Sequence, residues 1–201
     1  MYGHLTVICG PMFAGKTTEL LKRILWAKNG LGKRTAVYKC AYDTRYKITE
    51  IVSHDGLQAT AGIIRSWSGA PEAEHVFFDE VQFFTAPFFD GDIVTIIKSL
   101  LQSGIDVTVA SLDADWQGNP LPTVGLLASM ADEVVKLRSH CSVCGRPATK
   151  TFKRTPNSNS LELGGSEMYE PRCNTHWHWH PNADLFAADD DSDDGAVAGA
   201  A

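Results

Sequence analysis

Short, solid apolar runs alternate with stretches of helical spacing along the first 140 residues. The runs LTVICG, RTAVYKC, HVFFDE and IDVTVASLD have the length of buried strands, and MADEVVKLRSHC contains a last one. Leucine and isoleucine recur at helical spacing in TTELLKRILWAKNG, which Gly30 can end, and over residues 93–101, before Gly104. The polar segment 41–60 is expected to be a loop with some local structure. The alternation predicts an α/β fold, a parallel sheet flanked by helices with ligands at the carboxyl ends of its strands.

The pattern changes near residue 140. Residues 141–180 contain four aromatic residues, three cysteines and three histidines, but few aliphatic ones. A segment of this size with so few large apolar side chains needs an additional cross-link (a staple) to fold stably. We therefore predict an α/β domain over 1–139 and a small stapled domain over 140–180. Residues 181–201 are rich in Ala, Gly and Asp, and we predict a disordered acidic tail.

The formal net charge of −6 belongs to the tail. Six of the 24 acidic residues lie at or beyond Asp184, where no Lys or Arg occurs, so residues 1–183 carry 18 basic and 18 acidic side chains. Because these charges balance, residues 1–183 lack the excess of basic side chains that is typical of a protein that binds duplex DNA. No apolar run reaches the roughly 18 residues of a membrane span, and the N-terminus lacks a signal-peptide pattern. We expect neither a nucleic-acid nor a membrane partner.

The segment between the first strand and the first helix has the spacing G-x-x-x-x-G-K-[ST] of a phosphate-binding loop (P-loop). Glycines let backbone N–H groups turn toward phosphates, and the helix that follows presents its positive end. The lysine reaches the outer phosphates and the threonine hydroxyl suits Mg²⁺. This predicts phosphate binding by Gly10, Pro11, Met12, Phe13, Ala14, Gly15, Lys16 and Thr17.

Two consecutive carboxylates end the run HVFFDE. A strand-end carboxylate beside a P-loop holds Mg²⁺, and Asp79 is placed for this. Glu80 can act as the base that takes a proton from whatever attacks the terminal phosphate, or it can merely cap a loop. With Glu80 as base, an ATPase that activates water and a kinase that activates a substrate hydroxyl fit equally well.

Cysteine spacing predicts a zinc site. Cys141 and Cys144 form a C-x₂-C knuckle, and Cys173 and His176 form a C-x₂-H knuckle, with 28 residues between the two. Four N/S ligands make a closed, structural zinc site, although His178 also remains a candidate for the fourth ligand. The odd count of five cysteines, with this close pair, favours metal in a reducing compartment over disulfides. The intervening segment 149–172 is either a lid pinned by the metal or a plain connection.

Several segments in one order carry a family resemblance: GPMFAGKTTELLKR, AYDTRY, FFDEVQFF, SLDADWQGNP, CSVCGRPA and GGSEMYEPRC. Together they resemble the cytosolic, type II thymidine kinases of bacteria, animals and large DNA viruses, from about residue 4 to residue 177. The P-loop alone is generic, whereas its combination with DExQF and split zinc knuckles is specific. The resemblance implies a P-loop ATP-binding domain and a zinc-binding lasso or lid. It also implies transfer of the γ-phosphate of ATP to the 5′-hydroxyl of thymidine, in nucleoside salvage for DNA synthesis.

The resemblance also implies site residues. Glu80 matches the general base, and Asp79 and Thr17 would serve Mg²⁺. Asp43, Thr44, Arg45 and Gln82 would join the P-loop in holding ATP. The thymine pocket and the lid would be formed by Met12, Phe83, Leu112, Trp116, Leu121, Thr151, Leu161, Glu162, Leu163, Gly164, Gly165 and Tyr169.

Some properties follow only from the resemblance. The family implies a cytoplasmic homotetramer, in the host cytoplasm if the source is viral, with feedback inhibition by thymidine triphosphate (dTTP). Trp116 departs from the family, which usually has Phe there, and Val81 stands where relatives often have Gly or Cys. Two other classes stay open: a P-loop ATPase that turns over ATP without nucleoside, and a zinc-ribbon binder of nucleic acid that stacks bases on Trp177 and Trp179.

Overall fold

The computed structural model describes residues 2–43, 50–52, 57–155, 159 and 161–177. Its strands are β1 (Leu5–Cys9), β2 (Thr35–Cys40), β3 (Glu50–Val52), β4 (Gln58–Thr60), β5 (Gly62–Ile64), β6 (His75–Asp79), β7 (Asp106–Ser111), β8 (Glu133–Lys136), β9 (Ser139–His140), β10 (Pro147–Ala148), β11 (Lys150–Lys153) and β12 (Tyr169–Arg172). Its α-helices are α1 (Lys16–Leu25), α2 (Ile93–Gln102) and α3 (Pro122–Met130). A π-helical turn, Trp26–Gly30, extends α1, and 3₁₀ turns occupy Val81–Phe83 and Asn174–His176.

A six-stranded sheet in the order β5-β2-β6-β7-β1-β8 forms the centre of the fold. Every pairing in it is parallel, and β1 lies between β7 and β8. This confirms the predicted α/β fold. The carboxyl ends of β1, β6 and β7 are neighbours along one edge, which brings the P-loop, the Asp79–Glu80 pair and the segment after Ser111 together.

The sheet is buried on both faces because helices cover each side. In β1, Leu5 and Val7 pack in the core under α2 and α3, whereas Ile8 packs in the core under α1. Side chains alternate between the faces of a strand, so a strand covered on both sides reads as a solid apolar run. This accounts for the uninterrupted LTVIC and HVFF runs that predicted β1 and β6.

Strand β5 and helix α3 were not predicted, whereas the β3–β4 pair agrees with the local structure expected in segment 41–60. Segment 41–60 contains the antiparallel pair β3–β4 within its described part, and β5 then joins the sheet edge. Helix α3 gives no helical signal, because Gly125 lies inside it and only Val124 and Leu127 are buried.

Beyond β8, the chain forms two short antiparallel pairs, β9–β10 and β11–β12. β11 contacts the phosphate loop, since the Met12 N–H donates to Thr151 Oγ1 at 3.1 Å. The predicted tail, 181–201, lies outside the described residues. No helix in the described part of the chain is both long and apolar enough to cross a membrane.

Candidate functional site

The P-loop links the end of β1 to the start of α1. Gly10 has φ 148°, and a Cβ there would lie 2.5 Å from the Leu137 carbonyl oxygen, so only glycine fits. Lys16 is buried in the first turn of α1, and its Nζ donates to the Pro11 carbonyl at 2.7 Å. The loop therefore curls around the lysine that is predicted to reach the phosphates.

Two carboxylates diverge at the end of β6. Asp79 is buried, and its oxygens lie 3.4 and 3.5 Å from the Thr17 hydroxyl. Glu80 follows in a left-handed conformation, with φ 53° and ψ 50°. Such a conformation is uncommon and strained for a non-glycine residue. The turn points the two adjacent side chains toward different partners.

A buried amide holds Glu80. The Gln82 Nε2 donates to Glu80 Oε2. The Gln82 Oε1 accepts from the Ser111 hydroxyl at 2.7 Å and from the Leu112 N–H at 3.3 Å. These donors fix which end of the amide is the acceptor, so its N–H faces the carboxylate. We name this arrangement the Gln82 clamp.

The predicted phosphate-holding segment is only partly described. The Asp43 carboxylate is buried and lies 3.5 Å from the Lys39 ammonium. Thr44 and Arg45 lie outside the described residues. The structure therefore shows an ion pair at Asp43, and the role of the segment stays a prediction.

Two aromatic side chains predicted to line the base pocket are buried. Phe83 is buried, with its ring centroid 5.3 Å from that of Tyr42. Trp116 is buried too, and its Nε1 donates to the Asn159 carbonyl at 2.8 Å. Leu121 precedes α3 and packs against the core on that side of the sheet. Apolar walls and a fixed indole ring suit a flat, uncharged ligand.

The predicted lid segment, 161–165, is tied down at several points. Leu161 and Leu163 pack against the same core as Leu121. The Tyr169 hydroxyl donates to the Glu162 carbonyl at 3.1 Å, and the Glu162 carboxylate pairs with Lys153. Gly164 is buried and Gly165 is half-buried. Residues 156–158 and 160 lie outside the described residues.

The predicted metal ligands converge. One ligand atom each from Cys141, Cys144, Cys173 and His176 lies within 4.8 Å of all the others. The Cys144 and Cys173 sulfurs are 3.8 Å apart, and His176 Nδ1 is 3.3 and 3.6 Å from the Cys173 and Cys141 sulfurs. A tetrahedron with zinc bonds of about 2.3 Å to sulfur and about 2.0–2.1 Å to nitrogen has edges of about 3.8 and 3.6 Å. The four residues thus form a possible metal site consistent with zinc.

Thiolates are the form of cysteine that binds zinc. Burial disfavours the thiolate of Cys141, but hydrogen bonds from the neighbouring backbone and from His176 outweigh it and lower the pKa of Cys141 to about 5. This residue is therefore ionised near neutral pH. His178, the alternative fourth ligand, lies outside the described residues.

The metal cluster is packed against the base-pocket loop. A Cβ on Gly118 would lie 2.4 Å from the Trp177 ring, so that ring fills the space where Gly118 lacks a side chain. The Lys150 ammonium lies 4.9 Å from the centroid of the same ring. Trp177 therefore connects the last knuckle to the turn that carries Trp116.

Sequence reasoning did not find Ser111, Gly118 or Lys153. Ser and Lys usually lie on the surface, so neither residue type indicated a buried position in the site. The position of Ser111 at the end of a predicted strand beside the P-loop strand was the one available hint.

Comparisons with known proteins agree with this geometry. The thymidine kinase family model matches residues 3–177. A thymidine kinase of Coprothermobacter proteolyticus is 43% identical, with 87% of this chain and 90% of the relative covered. Thymidine kinases of Pseudothermotoga lettingae and Thermococcus kodakarensis are 37% and 38% identical, with 86% and 87% of this chain and 94% and 93% of the relatives covered. The chain therefore belongs to the thymidine kinase family.

Proposed function

We propose that this chain transfers the γ-phosphate of ATP to the 5′-hydroxyl of thymidine, giving thymidine monophosphate and ADP. The main observation behind this proposal is that two adjacent carboxylates have different partners: Asp79 lies beside the P-loop threonine, and Glu80 lies in the Gln82 clamp. In this proposal Asp79 binds the metal ion and Glu80 accepts the proton. Membership of the thymidine kinase family supports thymidine as the acceptor.

Glu80 is the general base of this reaction. Its carboxylate takes the proton of the 5′-hydroxyl while the 5′-oxygen bonds to the γ-phosphorus and the bond to the ADP oxygen breaks. The Gln82 clamp holds the Glu80 carboxylate in a fixed position through one of its oxygens. Positioning of this kind contributes strongly to the reaction rate, because the reacting atoms are already held close together.

The P-loop residues Gly10 to Thr17 hold the phosphates, and Lys16 offsets charge on the transferred group. Asp43, Thr44 and Arg45 complete this binding surface in the proposal. The Thr17 hydroxyl and the Asp79 carboxylate would hold Mg²⁺, since both offer the hard oxygen atoms that this ion prefers. When bound, Mg²⁺ neutralises charge on the phosphate oxygens.

Thymine lies among Met12, Phe83, Leu112, Trp116, Leu121, Thr151 and Tyr169. Its polar edge meets the backbone of lid residues 161–165, because a buried polar edge left unpaired costs about 1–3 kcal/mol. The closed lid also keeps water from the γ-phosphate, which separates a kinase from an ATPase.

A structural zinc ion at Cys141, Cys144, Cys173 and His176 would staple both ends of the lid hairpin. The division into a P-loop domain, 1–139, and a zinc lasso, 140–180, belongs to the same proposal. So do a cytoplasmic homotetramer and inhibition by dTTP, which rest on the family.

A product assay tests the function. Purified protein with ATP and Mg²⁺ is offered thymidine, deoxyuridine, deoxycytidine, deoxyadenosine or no nucleoside, and products are separated by chromatography. We expect thymidine monophosphate with thymidine and little ADP without nucleoside. Equal ADP in every reaction would instead identify an ATPase.

Glu80→Gln tests the base at nearly constant shape. We expect ATP binding to persist and turnover to fall at least about 100-fold, the scale of general-base catalysis. Glu72→Gln, at an exposed position, is the matched control and should be neutral. Near-normal turnover of Glu80→Gln would remove Glu80 from the mechanism.

A further inference from the structure

Lys153 is a lysine buried next to the base pocket. It ends β11, and its side chain is 1% exposed. Burying an ammonium group is strongly unfavourable unless its charge is matched by a partner. A lysine in this position therefore needs partners close by, and its location raises the question of what they do.

Three partners of Lys153 belong to the predicted pocket and lid. The Lys153 Nζ pairs with the carboxylate of Glu162, inside the lid segment. It also lies 5.4 Å from the centroid of the Trp116 ring and 5.7 Å from that of Tyr169. Both distances fall within the range of a cation–π interaction.

The same groups are joined a second time through the backbone of the lid. The Tyr169 hydroxyl donates to the Glu162 carbonyl, and the Trp116 indole N–H donates to the Asn159 carbonyl. Lys153 thus lies at the centre of a group formed by two rings and the lid. Each member comes from a different stretch of the chain: the turn after β7, the start of β12, and the segment between β11 and β12.

We propose that Lys153 is the positioning residue for nucleoside selection: it fixes the lid and both pocket rings without touching the substrate. The proposal rests on the proposed function. Its physical basis is that one buried charge has its counter-charge on the lid and its aromatic contacts in the pocket wall. Loss of the charge releases both at once, because Glu162 loses its partner and the rings lose the cation between them.

The test compares Lys153→Met, which keeps the length and apolar stem, with Lys150→Met on the same strand. We expect Lys153→Met to raise KM for thymidine at least 10-fold, to raise ADP formation in the absence of nucleoside, and to leave KM for ATP within twofold. Lys150→Met should leave KM for thymidine within twofold. Lys153→Arg should restore most of the thymidine affinity, since it restores the charge.

A double-variant cycle tests the pairing. Glu162→Gln should raise KM for thymidine as Lys153→Met does, and the double variant should be no worse than either single one, because both remove the same interaction. Fully multiplied effects would mean that the two residues act separately and would overturn the proposal. So would a Lys153→Met enzyme that loses only thermal stability, with an unchanged KM for thymidine.

Hydrogen exchange separates this proposal from the proposed function. Amides of residues 161–165 should exchange at least 10-fold faster in Lys153→Met than in the parent protein, whatever the nucleoside. The parent protein could fail to phosphorylate thymidine while the variant still exchanges faster than the parent. In that case the proposed acceptor is wrong, and Lys153 still fixes the lid. Equal exchange in both proteins would refute the role of Lys153.

Discussion

His75 makes the stability of the protein depend on pH, far from the phosphate site. It begins β6, its ring stacks on Phe77 at 4.1 Å, and its Nε2 lies 2.9 Å from the Thr108 hydroxyl. Burial lowers its pKa from 6.5 to about 4; the nearby Asp106 carboxylate opposes the shift, and the cationic groups of Lys33, His4 and Arg23 add to it. The imidazole therefore stays neutral in the folded protein under conditions that protonate it in the unfolded chain.

The sign and size of the effect follow from linkage. Between about pH 6.5 and pH 4 the unfolded chain binds the proton and the folded protein does not, so stability falls as the pH falls. At 1.36 kcal/mol per pKa unit, His75 alone removes about 2 kcal/mol of unfolding free energy between pH 7 and pH 5, and about 3 kcal/mol by pH 4. That loss is a large fraction of the about 5–15 kcal/mol that holds a typical domain together.

His75→Gln removes the titration and keeps a hydrogen-bonding side chain for Thr108. Urea unfolding of parent and variant is followed at fixed protein concentration from pH 7 to pH 5. We expect the parent to lose about 2 kcal/mol more than the variant. Protonation of the metal ligands contributes equally to both proteins and cancels in the difference. His4→Gln, at an exposed position near the same ring, is the control and should retain the parent's slope. The reasoning is refuted if His75→Gln and the parent lose stability in parallel.

Other parts of the site give further predictions. Ser111→Ala removes a neutral hydrogen bond to Gln82 worth about 1 kcal/mol, so steady-state kinetics should show kcat about fivefold lower with KM for ATP unchanged. Gly118→Ala places a Cβ 2.4 Å from the Trp177 ring at a backbone φ of 84° and should lower the Tm. The control Gly32→Ala also has a positive φ, 64°, but has no atom within 4 Å of the new Cβ, so it should lower the Tm less. Equal Tm shifts in the two variants would argue against the contact with Trp177. Removal of metal by a chelator should abolish thymidine phosphorylation in proportion to the zinc lost, measured by elemental analysis, and activity that persists without zinc would contradict the staple.

The sheet was predictable because its strands are covered on both faces. All of β1 is buried, as are β6 and β7 beyond their first residues, and most of these buried positions are apolar. Helix α3 was not predictable from periodicity, because Gly125 interrupts it and most of its surface is exposed or half-buried. Strand β5 has three residues, too few for a pattern.

The site was predictable where chemistry requires a fixed spacing. The P-loop and the two knuckles depend on residues within one short stretch, and the structure brings the four metal ligands together. Lys153 and Ser111 act through partners 9 and 29 residues away along the chain. Contacts between residues so far apart leave no pattern of spacing in the sequence, and a lysine is expected on the surface. Only the folded structure therefore reveals these contacts.

One strand joins the two substrate sites, and this explains why a metal-stapled hairpin is useful to a kinase. Thr151 and Lys153 are two apart on β11 and share a face, since strand side chains alternate. Thr151 accepts from the phosphate-loop residue Met12, and Lys153 pairs with the lid residue Glu162. If the lid moves to admit nucleoside, as the proposed function requires, β11 links that movement to the phosphate loop. In the proposed mechanism, closure would complete both sites together, so that ATP would meet a reactive hydroxyl only once water has been displaced.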